Sequence, residues 1–489
     1  MSATDTPNSS SLEAAGAAIG DPVAEVEASS RLPVLAMFGA GAFWLVISSV
    51  LGLISSIKFH SPDFLAGPAW LTYGRVRPAF VDSFLYGFCL QAGLAAGLWL
   101  VARLGRTALR PLPILAGAKL LNLGVILGVI GILQGDASGF DALNFPRYAA
   151  AMIFGGYVLI GVPAVLAFHR RAARTLFVSQ WFLLAALFWF PWIYSTGSLL
   201  VVAFPLRGVA QPIIAWWYAA NFQYVWMALV GLGIAFYLVP KVTGRELVSH
   251  NLALFTFWTL ILFGSWTGIP RTAPVPAYLP AISTVTSVLS ILTLVAVALA
   301  VWKTVDGNLG LLWGSRSLRF VAVGLACFLA AGVMNIVESL GTTGAITNFT
   351  WFTIARTHLL TYGFFAMTLF GAIYFVTPRV VGRELPFTKW VGVHFWLATL
   401  GMILGWAPLA VGGIVQGRKL LDPNAAFVDI AKSTLMFLRI STVGDLLMLA
   451  GHALLWINLG LLALGLARAA CQGFVTEATA EVQPAGAKS

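Results

Sequence analysis

The amino-acid sequence predicts an all-α protein, a polytopic membrane bundle of about twelve transmembrane helices, and it excludes a soluble enzyme. Of the 489 residues, 59% are hydrophobic and 10% are charged, whereas about 25% of the residues of a soluble domain are charged. The apolar residues fall in runs of about 20, the length that crosses the hydrocarbon core of a bilayer as a helix. The 34 Phe and 18 Trp residues suit lipid-facing surfaces and the aromatic belts at the two interfaces.

Twelve such apolar runs follow one another along the chain and define the predicted spans. They begin near residues 34, 80, 112, 147, 174, 212, 251, 280, 317, 349, 389 and 436. An even number of spans places both termini on the same side of the membrane. The loops on that side hold more Lys and Arg than the loops on the opposite side, so the positive-inside rule predicts that both termini are cytoplasmic.

Polar segments flank the membrane part of the chain. Residues 1–30 are rich in Ser, Ala and Gly without periodicity, which predicts a disordered cytoplasmic tail. Residues 470–489 predict a second disordered tail, and residues 31–469 form the transmembrane domain. The net charge of +11 resides in short loops between apolar runs, so the expected partner is the lipid bilayer and not nucleic acid.

Ionisable residues at membrane depth are costly, so each one indicates either function or an interhelical hydrogen bond. The predicted set is Asp82, Lys119, Glu338, Arg356, His358, Asp445 and His452. Arg356 cannot lose its charge and therefore needs a partner, for which Asp82 and Glu338 are the candidates. Asp445 and His452 are seven residues apart and share a face of the last helix, as a proton or ion path requires.

Several stretches of the sequence carry a family resemblance. They are LTYGRVRP at 71–78, WWYAANFQ at 216–223, YLVPKVTGREL at 237–247, FVTPRVVGREL at 375–385, HFWLATLGMIL at 394–404 and GIVQG at 413–417. In this order and spacing they resemble subunit I of the cbb-type (C-family) haem–copper cytochrome c oxidases, from about residue 34 to 468. The resemblance implies the twelve-helix subunit I fold, a bacterial-type inner membrane, a place in the aerobic respiratory chain and other membrane subunits of a respiratory complex as partners.

The resemblance also implies where the cofactor ligands of the family lie. Six histidines of the family bind a low-spin haem, a high-spin haem and a copper ion. At five of those positions this chain has, in order, Phe80, Ala220, Pro270, Arg271 and Arg356. These side chains have no lone pair to offer a metal. Only His358 remains, at a low-spin haem position, so the comparison implies no catalytic residue, no metal ligand set, no copper and at most one haem b, bound by His358.

Three functions are compatible with these residues. The first is a ligand-depleted, non-catalytic subunit of a respiratory complex. In such a subunit Arg271 and Arg356 would fill the space that haem and metal occupy in the family. Alternatively it is a functional haem-binding terminal oxidase or nitric oxide reductase subunit. The third hypothesis is a proton- or ion-conducting protein or a sensor on the same scaffold, with Glu338, Asp445 and His452 as its ionisable groups.

Overall fold

Twelve helices, α1 to α12, cross the bundle in a computed structural model that describes residues 22–482 and the side chains of residues 23–472. They are α1 (Pro22–His60), α2 (Tyr73–Gly105), α3 (Pro111–Gln134), α4 (Arg147–His169), α5 (Val178–Ala203), α6 (Ala210–Thr243), α7 (His250–Gly264), α8 (Tyr278–Thr304), α9 (Arg316–Ser339), α10 (Trp351–Val381), α11 (Thr388–Leu420) and α12 (Phe427–Val482). A short helix, Gly341–Thr347, links α9 to α10. The predicted all-α membrane bundle is confirmed.

Eleven of these helices are long and apolar enough to cross a membrane, and α7 is the exception among the described residues. With 15 residues it reaches about 22 Å at 1.5 Å per residue, which is less than the about 30 Å of the hydrocarbon core. An irregular segment follows it and includes Gly268, whose φ of +97° lies in the left-handed region. Non-helical backbone at membrane depth is tolerated where it lines a cavity, and this segment does so, as described below.

The first helix extends beyond the predicted boundary of the transmembrane domain. Residues 22–30, which we expected in the disordered tail, form the start of α1. Glu27 anchors this extension, because it accepts a hydrogen bond from Trp99 Nε1 at 2.8 Å and pairs with Arg103 at 3.2 Å. α12 likewise continues through residues 470–482. The rest of both expected tails, residues 1–21 and 483–489, lies outside the described residues.

The helices at the centre of the bundle are α2, α6 and α10, whose apolar segments are mostly buried, whereas about half or less of the corresponding segments of the other long helices is buried. Each central helix contains a π-helical stretch, namely Ser83–Leu90, Asn221–Trp226 and Leu359–Ala366. Such stretches occur frequently at functional sites. Here they begin next to Asp82, Ala220 and His358, the residues or positions that the sequence analysis singled out.

Candidate functional site

A cavity of about 850 Å³ lies at one end of the bundle. We call this the cavity end; α1 finishes there and α2 begins there, so both termini belong to the opposite end, the termini end. The wall combines apolar and aromatic side chains with the ionisable groups of Glu338, Arg356, His358 and Asp445. Its volume is in the range of about 300–1,000 Å³ that small-molecule and cofactor sites have.

The fold brings together, around this one cavity, the six residues that the resemblance relates to the ligands of the family. Its lining includes all of them, namely Phe80, Ala220, Pro270, Arg271, Arg356 and His358. They come from α2, α6, the irregular segment after α7, and α10, so the sequence alone could not show that they converge. Among residues 23–472, no group of three or more His, Cys, Asp and Glu side chains is arranged to hold a metal ion.

Arg356 has the acidic partner that its burial requires. Its Nε donates a hydrogen bond to Glu338 Oε2, and Thr353 Oγ1 donates to the other carboxylate oxygen. The guanidinium carbon lies 5.3 Å from the centre of the Tyr224 ring. Of the two candidate partners that the sequence offered, Glu338 is therefore the one that binds Arg356. The pair joins the end of α9 to the first turns of α10.

Asp82, the other candidate, is engaged elsewhere. Its carboxylate is fully buried and accepts hydrogen bonds from Asn144 N at 2.8 Å and Asn144 Nδ2 at 3.2 Å. Asn144 belongs to the connection between α3 and α4, so Asp82 fixes this connection to the middle of the bundle. Lys119 of the predicted set lies on an exposed face of α3.

His358 lies in the wall of the cavity between α10 and α11. A Cβ at Gly405 of α11 would lie 3.3 Å from His358 Cε1, so the glycine makes room for the imidazole. One helical turn further along, Phe84 of α2 and Tyr362 of α10 stack with ring centres 4.0 Å apart and planes 13° apart. These rings fill the space between α2 and α10 close to Phe80 and His358, which both line the cavity.

Asp445 and His452 share a face of α12 but have different surroundings. Asp445 lines the cavity. His452 is buried nearer the termini end, where its Nδ1 forms a hydrogen bond with Ser49 Oγ at 2.8 Å. It is close to His394 of α11. The sequence analysis gave no role to His394, because the contact between α11 and α12 that brings it to His452 is not visible in the sequence. His394 is fully buried, and its Nδ1 forms a hydrogen bond with the Tyr374 hydroxyl at 2.8 Å.

The GIVQG stretch of α11 sets the position of the cavity wall. A Cβ at Gly417 would lie 1.7 Å from the carbonyl oxygen of Ile346, and one at Gly413 would lie 2.0 Å from Phe352 N. Gln416 between them accepts a hydrogen bond at 3.0 Å from Trp351 N, an amide at the start of α10 that has no partner within the helix. Small residues four apart let helices approach closely, and here they press α11 onto the start of the helix that carries Arg356 and His358.

An all-α membrane bundle that encloses a cavity between its central helices has the architecture of a haem–copper oxidase subunit I. The sequence matches the family "Cytochrome C and Quinol oxidase polypeptide I" over residues 33–447. The chain belongs to this family, and the relationship expected from the sequence is confirmed.

Curated relatives and a solved structure agree with this assignment. The chain is 24% identical over 478 residues to a cytochrome c oxidase subunit 1 homolog of Agrobacterium tumefaciens (strain T37), covering 91% of this chain and 86% of that protein. It is 25% identical over 433 residues to the Cbb3-type cytochrome c oxidase subunit CcoN1 of Stutzerimonas stutzeri, covering 85% and 91%. The structure of a heme-copper terminal oxidase dimer superposes with a TM-score of 0.65 at 14% identity, covering 88% of this chain and 83% of that one, which shows a common fold.

Proposed function

We propose that this chain is a non-catalytic member of the oxidase subunit I family, a membrane subunit of a respiratory complex that reduces neither oxygen nor nitric oxide. The observation that carries the proposal is the cavity wall itself. The six residues that the resemblance relates to haem and copper ligands line one cavity, and they present a single imidazole, that of His358.

The chemistry of the remaining side chains supports this proposal. Copper sites in proteins rely on nitrogen and sulfur donors, and Ala220 and Pro270 have no donor atom in their side chains. Arg271 and Arg356 carry guanidinium groups, which stay protonated and have no lone pair for a metal. Arg356 is held by Glu338, so a fixed cation stands where the family has the ligand of its high-spin haem.

The low-spin haem position keeps only half of its ligand pair. His358 offers an imidazole, but Phe80 stands at the other position and the stacked rings of Phe84 and Tyr362 occupy adjacent space. A haem with two axial histidines does not fit these residues. The cavity could hold at most one haem b, bound through His358 alone. The experiment below distinguishes a protein with this haem from a haem-free protein.

We further propose that the protein resides in a bacterial-type inner membrane, with both termini in the cytoplasm and with other respiratory membrane subunits as partners. The excess of Lys and Arg in the loops at the termini end supports the orientation. The exposed aromatic and aliphatic side chains of the outer helices suit contact with lipid and with further membrane subunits.

The test is a redox spectrum with metal analysis on the purified protein. We expect no copper, no high-spin haem signal in the reduced-minus-oxidised spectrum, and no oxygen or nitric oxide consumption with an artificial electron donor. One haem per chain that is lost in His358→Phe and kept in the control His452→Phe would assign a residual haem to His358 and keep the proposal. Stoichiometric haem and copper, or turnover of either gas, would refute it.

A further inference from the structure

Two buried hydrogen-bond donors in the cavity wall have no partner among the described residues. They are Arg356 Nη1 and the Tyr224 hydroxyl, and both residues line the cavity. The guanidinium carbon of Arg356 lies 5.3 Å from the centre of the Tyr224 ring, so the two groups belong to one part of the wall. Buried polar groups are normally paired. A guanidinium can only donate and a hydroxyl can also donate, so one acceptor can satisfy both.

Arg271 brings a second guanidinium group to this region, where the cavity opens. It lines the cavity and is exposed, and its Nη1 lies 3.3 Å from the position that a Cβ of Gly341 would take. Glu338, the partner of Arg356, precedes Gly341 by three residues. Both guanidinium groups therefore lie near the end of α9.

The charges of the cavity wall are balanced except at Arg271. Glu338 balances the charge of Arg356, and Arg77 and Asp141 pair with each other at 3.7 Å. Asp445 is hydrogen-bonded to Ser56 of α1. In the described part of the chain, Arg271 is thus the cavity cation that lacks an acidic partner, which favours a ligand with a single negative charge.

Aromatic rings supply an apolar surface beside these cationic groups. Phe349 and Trp216 both line the cavity, with ring centres 6.4 Å apart. Phe349 has a φ of +59°, in the left-handed region, which is strained for a bulky residue and which occurs frequently at ligand-binding sites. Its ring is 65% exposed, so this backbone conformation holds an apolar surface at the opening of the cavity.

We propose that the cavity binds a small organic monocarboxylate with an apolar body. Its carboxylate accepts hydrogen bonds from Arg356, Tyr224 and Arg271, and its body packs against Trp216 and Phe349. Guanidinium groups match the geometry of a carboxylate, whose two oxygens can accept several hydrogen bonds at once. The cavity volume of about 850 Å³ is that of a small-molecule site and far exceeds what an inorganic anion fills.

This inference deepens the proposed function and rests on it in one respect, because a haem that faced Arg356 would occupy the same space. It gives Arg271 and Arg356 a positive role, the recognition of an acid, in addition to the loss of metal ligands. Such an acid can reach the cavity from two sources. A fatty acid would come from the bilayer, and an aromatic acid would come from the aqueous phase.

Equilibrium binding to the full chain in lipid nanodiscs tests this proposal. The probes are radiolabelled octanoate and radiolabelled 2-naphthoate, and nanodiscs without protein give the background. We expect saturable binding of at least one acid and none of octanamide or 2-naphthamide, which keep the apolar body and lack the charge. Tighter binding of octanoate would indicate a fatty acid, and tighter binding of 2-naphthoate would indicate an aromatic acid. Either result supports the proposal.

Arg271→Gln tests the cation that has no acidic partner. Because Arg271 is exposed, its replacement should leave folding intact. We expect it to raise the Kd of the acid at least about tenfold, the loss expected for a hydrogen bond between charged groups. The matched control is Arg207→Gln, the same change at an exposed arginine between α5 and α6, which does not line the cavity and should keep the Kd of the wild type.

Tyr224→Phe tests the buried donor, since it removes one hydroxyl and keeps the ring. It should weaken binding by about fivefold, whereas Tyr278→Phe, at an exposed tyrosine outside the cavity, should not. Binding of neither acid, equal binding of acids and amides, or an unchanged Kd in both Arg271→Gln and Tyr224→Phe would overturn the proposal. A protein without haem and copper that binds neither acid would refute only this inference, whereas a redox spectrum with haem and copper would refute the proposed function.

Discussion

At the scale of single residues, a salt bridge between Arg356 and Glu338 lies in the wall of the cavity. Arg356 and Glu338 are both largely buried, and removing one partner of such a pair leaves a charge without compensation in a medium of low dielectric constant. Asp82 cannot take the place of Glu338, because Asn144 already satisfies both of its carboxylate oxygens. The two carboxylates therefore hold different elements: Glu338 joins α9 to α10, and Asp82 joins α2 to the connection between α3 and α4.

A double-mutant cycle measures the coupling of this pair. Arg356→Leu alone should lower the free energy of unfolding by about 3–5 kcal/mol, because Glu338 is left as a buried unpaired charge. The double variant Arg356→Leu/Glu338→Leu should recover most of this loss, as followed by thermal unfolding in detergent.

The control for this cycle is the more exposed pair of Arg103 and Glu27. Its coupling should stay below about 1 kcal/mol, as is typical of ion pairs near solvent. A double variant of Arg356 and Glu338 that is as unstable as Arg356→Leu alone would show that the pair is not coupled.

At the scale of elements, the close contact of α11 with the start of α10 determines the shape of the cavity. Gly413 and Gly417 face backbone atoms of Phe352 and Ile346, which cannot move aside as a side chain would. The contact positions the first turns of α10, from which Thr353 and Arg356 reach Glu338. The GIVQG stretch thus acts on the site through packing, and its Gln416 also lines the cavity.

Gly417→Ala should disrupt this contact. The added methyl group would meet the Ile346 carbonyl at 1.7 Å, so we expect a destabilisation above the about 1–3 kcal/mol that overpacking of a core usually costs. The matched control is Gly392→Ala in the same helix, where no atom lies within 4 Å of the added Cβ. Equal melting temperatures of the two variants in detergent would contradict the expectation.

At the scale of the whole molecule, labelling of an exposed cysteine measures which side of the membrane the termini occupy. Cys89 and Cys327 are buried, and Cys471 near the end of α12 is exposed. If both termini are cytoplasmic, a membrane-impermeant maleimide should label Cys471 only after spheroplasts are permeabilised.

The variant Cys471→Ser/Asp141→Cys tests the opposite side of the membrane, because it moves the exposed cysteine to the cavity end. Asp141 is an exposed residue at the cavity end, so its cysteine should react in intact spheroplasts. The reverse labelling pattern of the two proteins would show that the termini are on the outer side, and the assignment from loop charges would then be wrong.

The sequence by itself determined the number of helices, their approximate starts and the family. In lipid a helix must satisfy its own backbone hydrogen bonds, so an apolar run of sufficient length specifies a helix almost independently of its neighbours. The motifs likewise predicted which positions correspond to the family ligands, because they are read residue by residue. Both kinds of information are local in the chain.

Only the tertiary structure decided what depends on contacts between distant helices. It extended α1 to Pro22, through the contacts of Glu27 with Trp99 and Arg103. It also gave Arg356 its partner and brought His394 of α11 next to His452 of α12. The physical reason is that a buried polar group needs a partner at hydrogen-bond distance, and which one reaches it is set by helix packing, which sequence spacing does not encode.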